Sequence, residues 1–319
     1  MKICVIGAGA VGGLIGARLA LAGHETSAIA RGDTLEALRR YGWRLSSGER
    51  APVRATGDPA DLGPQDLIVL AVKAPALPDV APSAGALLGT DTLVMPAMNG
   101  VPWWFLPEPL HSVDPDGVIA AAVPRRQVIG CVVHFAGRTP EPGLVEHTGG
   151  NGLILGEPDG GTSQRLTGLV DVLAGAGFEA RESADVRTDI WYKLWGNMTM
   201  NPISSLTGAT ADRILDDPLV SRFCLDVMTE AAEIGARIGC PIAESGADRM
   251  VVTRRLGRFK TSMLQDTEAG RPIELDALVS AVREIGEHVA VATPSIDTLL
   301  GLTRLAARVR GLYPGDSAS

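Results

Sequence analysis

The most informative chemistry in this 319-residue chain lies in the segment Trp191-Tyr192-Lys193-Leu194-Trp195-Gly196-Asn197-Met198-Thr199-Met200-Asn201-Pro202. Lys193, Asn197 and Asn201 are spaced four apart. On an α-helix each step of four turns only ~40° further round, so the three polar groups share one stripe between apolar flanks. A stripe of that kind must find partners or water. Partial desolvation of a lysine amid Trp191, Leu194 and Trp195 lowers its pKa toward the range useful for proton donation. The same stripe, taken alone, also reads as the solvent face of an ordinary core helix. Pro202 removes a helical N–H and crowds the carbonyl of Met198, which predicts a kink or an end near Asn201 and could turn that side chain into a cleft.

A second constellation is Ser262-Met263-Leu264-Gln265-Asp266, followed by Glu274-Leu275-Asp276. Ser262 could hydrogen-bond a carboxylate, and Glu274 could face Lys193 and keep it charged. The spacing equally allows a helix cap at Ser262 and a solvated first-turn acid at Glu274.

The third set is Gly7-Ala8-Gly9-Ala10-Val11-Gly12, a GxGxxG that follows a short apolar run and opens a helix-like stretch. Gly7 permits the tight turn, Gly9 lets backbone approach a pyrophosphate, and Gly12 allows close helix–strand packing. The helix N-terminus offers unpaired N–H groups and partial positive charge to phosphates. Where a carboxylate commonly receives the ribose 2′-OH, this chain has Ala28-Ile29-Ala30-Arg31. A guanidinium there suits a 2′-phosphate and favours NADP over NAD, the alternative being a solvated Arg31 with Asp33 as the carboxylate. Two further strand ends carry polar residues. Lys73 could approach a cofactor phosphate or ribose, or be a solvated lysine; Asn99-Gly100 could be a plain turn. Trp103 and Trp104 follow at once and could wall a pocket near a nicotinamide, or cover an interdomain seam or subunit contact.

The elements that must position these residues alternate strand and helix in the first half. Lys2–Ile6, Thr26–Ala30, Asp66–Val72 and Thr92–Met95 read as buried parallel strands; Val11–Ala22, Thr34–Tyr41 and Val80–Leu88 read as helices. Val128–His134, Leu144–His147 and Gly152–Leu155 read as short strands forming an antiparallel extension of the sheet, followed by a helix at Ser163–Leu173 and a strand at Phe178–Arg181. From about Ser183 only amphipathic helices are expected, at Asp185–Met200, Pro218–Ile238, Ser245–Glu268, Leu275–Val291 and Ser295–Val309. The expected domains are therefore 1–183 and 184–319, an α/β nucleotide-binding half and an all-helical half carrying substrate and catalysis.

Composition limits the alternatives. The chain is 45% hydrophobic and 21% charged, with a net charge of −8. No basic run or aromatic-basic interleaving points to nucleic acid. Met1–Gly23 is apolar but is broken by regular glycines and Arg18, unlike a signal peptide, and no stretch is long enough for a bilayer span. Cys4, Cys131, Cys224 and Cys240 are far apart, with no metal-ligand spacing; they read as reduced and mostly buried, consistent with the cytoplasm.

GAGAVGG at Gly7–Gly13, AVKA at Ala71–Ala74, Asn99-Gly100, Lys193-Leu194 with Asn197 and Asn201, and SMLQD at Ser262–Asp266 with Glu274 twelve residues after Ser262 together resemble the ketopantoate reductase (2-dehydropantoate 2-reductase) family over nearly the full length. The resemblance implies a Rossmann-type N-terminal domain, a helical C-terminal domain, NADPH as hydride donor, and reduction of the 2-oxo acid ketopantoate to pantoate on the route to pantothenate. It implies Lys193 as general acid, Asn99, Asn197, Asn201, Ser262 and Glu274 as substrate contacts, Arg31 at the 2′-phosphate and Lys73 in the cofactor region. Monomer and homodimer are both open assemblies for such a chain. The chain departs from the family pattern at Phe259, where some members carry Asn three residues before the Ser-Met pair, at Ala209-Thr210-Ala211, which has no counterpart of another family Asn, and in its tryptophan pair. Those departures keep a paralogue reducing a related 2-oxo acid as an alternative, beside a non-catalytic NADP-binding sensor. Opine-type and 3-hydroxyacid dehydrogenases share the layout, but no histidine lies in the Lys193 helix or the Ser262 segment.

Overall fold

The computed structural model describes residues 1–255 and 257–315. The chain divides into two compact units, one formed by Met1–Pro109 with Asp116–Asp189, the other by Leu110–Pro115 with the chain from Ile190 onward.

The first unit begins with β1 (Lys2–Ile6), α1 (Ala10–Leu21), β2 (Glu25–Ile29), α2 (Gly32–Tyr41), β3 (Trp43–Leu45), β4 (Arg50–Ala51) and β5 (Arg54–Thr56). It continues through β6 (Leu67–Leu70), α3 (Leu77–Gly85), β7 (Leu93–Pro96) and α4 (Val118–Ala122) to β8 (Gly130–Glu141), β9 (Leu144–Gly156), α5 (Gln164–Gly175) and β10 (Glu179–Glu182). Five strands form a parallel sheet in the order β5-β2-β1-β6-β7. Its central strands are nearly continuous apolar runs because both faces are covered.

The expected antiparallel extension of this sheet is instead a second sheet, in the order β10-β9-β3-β4 with β8 also paired to β9. Only β8 and the β3–β4 pair are antiparallel in it; β10 and β3 both run parallel to β9. What the glycines suggested were separate strands are two long ones, with register shifts after His134 and Ala136 absorbing the Gly149-Gly150 segment. The three-residue β3 and β5 and the two-residue β4 are too short to show a period in sequence.

α1 packs against strands of both sheets, which is why its sequence is apolar on all sides. Its glycines set the spacing. A Cβ at Gly16 would lie 2.6 Å from the buried ring of Trp43, and one at Gly13 would lie 2.6 Å from Val145. Trp43 is held in turn by its indole N–H donating to Thr26 Oγ1 at 3.1 Å.

In the second unit every regular element among the described residues is helical. Here lie α7 (Ala211–Asp216), α8 (Pro218–Arg237), α9 (Gly246–Arg254) and α10 (Ser262–Glu268), then a π-helical stretch at Asp276–Ser280, α11 (Ala281–His288) and α12 (Pro294–Val309). α6 (Val186–Thr207) precedes them and carries the division between Asp189 and Ile190. It runs through Pro202 and ends at Thr207, so, of the kink or end expected near Asn201, the end is not found. Residues 201–205 are all buried, and Ser204 and Thr207 donate back to the carbonyls of Asn201 and Ile203. Packing of this turn outweighs the missing N–H. The expected single helix Ser245–Glu268 is two helices, with Gly257 at φ +62° in the connection.

Leu110–Pro115 joins this unit through Glu284 of α11. That carboxylate accepts from the His111 N–H at 2.6 Å and from the N–H and hydroxyl of Ser112 at 2.8 and 2.5 Å. All four cysteines are free and buried, and burial pushes the Cys4 thiol up to about 11. No helix among the described residues is long and apolar enough to cross a membrane.

Two outcomes follow from this packing. Gly16→Val should cost about 1–3 kcal/mol in urea unfolding, because the new side chain must displace a hydrogen-bonded tryptophan; unchanged stability would show that the helix does not sit this close. Burial raises the Glu284 carboxyl, but the Ser112 and His111 donors outweigh it and hold it below its usual range. Its contribution is therefore complete above the ordinary Glu pKa of ~4.3 and is lost as pH falls through the lower folded value. Denaturant titrations should show Glu284→Gln weaker than the parent at pH 7, with the gap closing below pH ~4.

Candidate active site

β1, β2, β6 and β7 are parallel, so their carboxyl ends share one edge of the first sheet. β1 lies between β2 and β6, placing the reversal of strand order at β1/β6, where open α/β sheets bind ligands. Gly7 follows β1 with φ +99°, a conformation that side chains resist. A Cβ there would also stand 2.7 Å from the Ala71 carbonyl, so the loop after β6 presses against the glycine loop. Ala8 is buried, while Ala10 and Val11 are half-buried in the first turn of α1. A Cβ at Gly12 would be 2.2 Å from the Gly7 carbonyl oxygen.

Gly9 is the opposite case. It is exposed, it caps α1 without a side-chain hydrogen bond, and nothing lies within 4 Å of where its Cβ would be. Backbone N–H groups at the start of α1 thus border open space, the arrangement a pyrophosphate requires. The loop fits a dinucleotide on this ground. Arg31 is exposed at the N-cap of α2, just beyond β2. Lys73 is exposed just beyond β6, at the N-cap of a 3₁₀ turn Ala74–Ala76. Asn99 is half-buried three residues beyond β7, before Gly100 at φ +85°. The glycine loop, Arg31, Lys73 and Asn99 therefore stand along one sheet edge.

Trp103 and Trp104 do not wall an open pocket; both are buried. The Trp103 indole donates to the Val123 carbonyl at 3.3 Å. The Trp104 ring occupies the space that a side chain at Gly130 would need, with Arg125 bonded to its backbone carbonyl. They are core residues of the first unit.

In the second unit, α6 is clamped by its tryptophans. Trp191 Nε1 donates to the Ala231 carbonyl at 3.2 Å and Trp195 Nε1 to the Met228 carbonyl at 2.7 Å, both on α8. Gly235 makes room, since a Cβ there would lie 2.3 Å from Trp191 Nε1. With that face against α8, Tyr192, Lys193 and Asn197 come to the less covered side and are half-buried; Asn201, further round, is buried. Ser262 is the first residue of α10 and is half-buried; the cap is its neighbour Thr261, whose hydroxyl accepts from the Leu264 N–H at 3.1 Å. Thr261 Oγ1 is also 2.5 Å from Ser204 Oγ, and Thr267 Oγ1 is 2.7 Å from Ser205 Oγ, so α10 is seated on the last turns of α6 beside Asn201. Glu274 is 5% exposed, two residues ahead of the π-helical stretch. The Ile273 N–H donates to the Leu312 carbonyl and the Tyr313 hydroxyl to Asp276 Oδ1 at 2.6 Å, fixing the chain on both sides of Glu274. Among the described residues no group of three or more His, Cys, Asp or Glu could hold a metal.

Sequence reasoning passed over Tyr192 and Arg249. The Arg249 guanidinium of α9 lies 4.9 Å over the Tyr192 ring and against Gly196. Burial and a hydrogen bond to Glu244 push the Tyr192 phenol up, opposed by the charge of Arg249. Gly196 between Lys193 and Asn197 was the available signal, since a bare backbone on a polar face invites close approach.

A dinucleotide cradle at the carboxyl edge of a parallel sheet, with a separate helical unit bearing a lysine–asparagine face, defines the class of two-domain, nicotinamide-dependent oxidoreductases. The chain belongs to the ketopantoate reductase PanE/ApbA family, which matches residues 3–160, with the family's C-terminal region matching residues 185–307. It is 45% identical to the 2-dehydropantoate 2-reductase of Mesorhizobium japonicum, over 98% of this chain and all of that one. The crystal structure of a candidate ketopantoate reductase from Ralstonia solanacearum superimposes with a TM-score of 0.95 at 58% identity, covering 98% of this chain and 99% of that one. The 2-dehydropantoate 2-reductase of Methylococcus capsulatus gives 0.85 at 27% identity, covering 97% and 98%.

Proposed function

We propose that this chain reduces 2-dehydropantoate (ketopantoate) to pantoate with NADPH, on the route to pantothenate, and that Lys193 is the general acid. The observation that carries the reading is the end-to-end likeness to the M. japonicum reductase in a chain whose α6 turns Lys193 and Asn197 away from its tryptophan anchors. Residues 1–183 are assigned to cofactor binding and residues 184–319 to substrate and catalysis. Four free, buried thiols suit a reducing compartment such as the cytoplasm.

The bound nicotinamide supplies hydride to C2 of the 2-oxo acid. Gly7 to Gly12 would receive the pyrophosphate, Lys73 and Asn99 would help hold the cofactor, and the Arg31 guanidinium would receive a 2′-phosphate. Lys193 holds the proton that passes to the C2 oxygen, and its charge stabilises that oxygen as negative charge develops. Asn99, Asn197 and Asn201 orient the substrate, the Ser262 hydroxyl donates to it, and Glu274 keeps Lys193 charged.

A second reading, a paralogue acting on another 2-oxo acid, draws on Phe259, a 40% exposed aromatic three residues before the Ser262-Met263 pair. A panel of 2-oxo acids followed by NADPH absorbance decides between them: ketopantoate should give the highest kcat/KM, and a better substrate would favour the paralogue. NADPH consumption with none of the panel would favour the binding-only sensor.

Lys193→Ala should lower kcat by ~10²-fold or more while leaving NADPH affinity intact; unchanged turnover removes the assignment. Arg31→Ala should raise the KM for NADPH ~10–100-fold and leave NADH use unaltered, as expected for losing a charge-assisted bond. Equal efficiency of the parent protein with the two cofactors contradicts the Arg31 role.

A further inference from the structure

We propose that Arg249 anchors the carboxylate of the 2-oxo acid, making it a specificity-determining residue of this site; the proposal rests on the reductase reading above. Arg249 belongs to α9, in the same unit as α6. Its guanidinium lies flat against the one bare position on the less covered face of α6: a Cβ at Gly196 would meet Nη2 at 3.1 Å and Nε at 3.2 Å. Gly196 is three residues from Lys193 and next to Asn197. Residues three apart on a helix are surface neighbours, ~5–6 Å between Cβ positions. A second cation therefore stands within one helical turn of the proposed acid.

The surroundings of that cation are unusual. Its Nε is buried with no hydrogen-bond partner. Among the described residues no ion pair includes Arg249; the nearby Glu244 carboxylate receives the Tyr192 hydroxyl instead. The Tyr192 ring stacked 4.9 Å away supports the guanidinium plane, and its phenol oxygen accepts from the outer part of the fork, leaving Nε as the unpaired donor. Buried polar groups are nearly always satisfied, so one left unpaired beside a candidate site calls for explanation, and a ligand that engages the guanidinium supplies one. A planar fork held in place by stacking matches a carboxylate. In a 2-oxo acid the carboxylate is bonded directly to the carbon whose oxygen takes the proton. Its anchor must then lie close to the acid, and Arg249 packs on α6 within one turn of Lys193. Arg249 thus adds a charged contact to the hydroxyl of Ser262, and it selects 2-oxo acids over neutral ketones.

The test compares 2-dehydropantoate with its lactone, which keeps the 2-oxo centre and lacks the carboxylate, and adds calorimetric binding of pantoate, which needs no turnover. Arg249→Gln should raise the KM for the acid by ~50-fold or more, with kcat within about threefold, from loss of a charge-assisted bond. Its kcat/KM for the lactone should be unchanged, and pantoate should bind at least ~10-fold more weakly. Arg249→Lys, which keeps the charge and loses the fork, should recover part of the acid's KM, and it gives the same acid-to-lactone comparison if the Gln variant does not fold. An unchanged KM for the acid, or equal losses for acid and lactone, overturns the proposal and assigns Arg249 to holding Tyr192. If the parent chain binds pantoate through Arg249 yet turns over no 2-oxo acid, the reductase reading fails and the anchor stands. If it neither binds nor turns over any of them, both fail.

Discussion

The rotation of α6 about its own axis is the constraint on which the proposed chemistry depends, and two indole N–H groups set it. Trp191 and Trp195, four apart, reach carbonyls of α8, and the backbone of Gly235 gives Trp191 its room. A donor left unpaired there would cost on the order of 1–3 kcal/mol, so the helix has one favoured orientation. Because ~100° separates successive residues, fixing 191 and 195 inward fixes 192, 193, 196 and 197 on the other side. The hydroxyl pairs Ser204–Thr261 and Ser205–Thr267 then seat α10, and with it Ser262, on the same helix. Helices carry Lys193, Asn197, Asn201, Ser262 and Arg249, and a rigid support of this kind is what proton transfer over short distances requires.

The first unit solves a different problem, bringing backbone close to backbone. Gly12 lets the start of α1 meet the glycine loop, and Gly13 and Gly16 let its body lie between two sheets. Trp43, fully buried against Gly16, fills the volume that glycine leaves, and Val145 fills the space beside Gly13. The parallel arrangement does the remaining positioning. All strands of the first sheet end on one edge, so residues separated by tens of positions in sequence, Gly7, Arg31, Lys73 and Asn99, stand along it.

Particular residues show where local information ran out. Pro202 argued for a kink or an end, yet α6 does not end there because residues 201–205 are buried and packing offsets a missing N–H. Glycines at 149, 150 and 152 argued for separate strands, yet β9 passes through them with shifted register. The tryptophan pair after Asn99-Gly100 suggested a pocket wall or a covered seam, yet both rings are buried, Trp104 against Gly130 and Trp103 bonded to the Val123 carbonyl. In each case the local signal was real and a contact distant in sequence overrode it.

What the sequence determined by itself was whatever a few adjacent residues can enforce: the glycine loop, whose dihedral and contact requirements are local; the apolar parallel strands; the four-residue spacing that puts Lys193, Asn197 and Asn201 on one stripe. Tertiary structure alone decided which way that stripe faces, that the β8–β9 segment forms its own sheet, that Leu110–Pro115 joins the helical unit through Glu284, and that Arg249 lies on Gly196. The division has one physical cause. Periodicity and turn chemistry act over a few residues, whereas burial, hydrogen-bond satisfaction and the approach of charges depend on partners brought near only once the chain is packed.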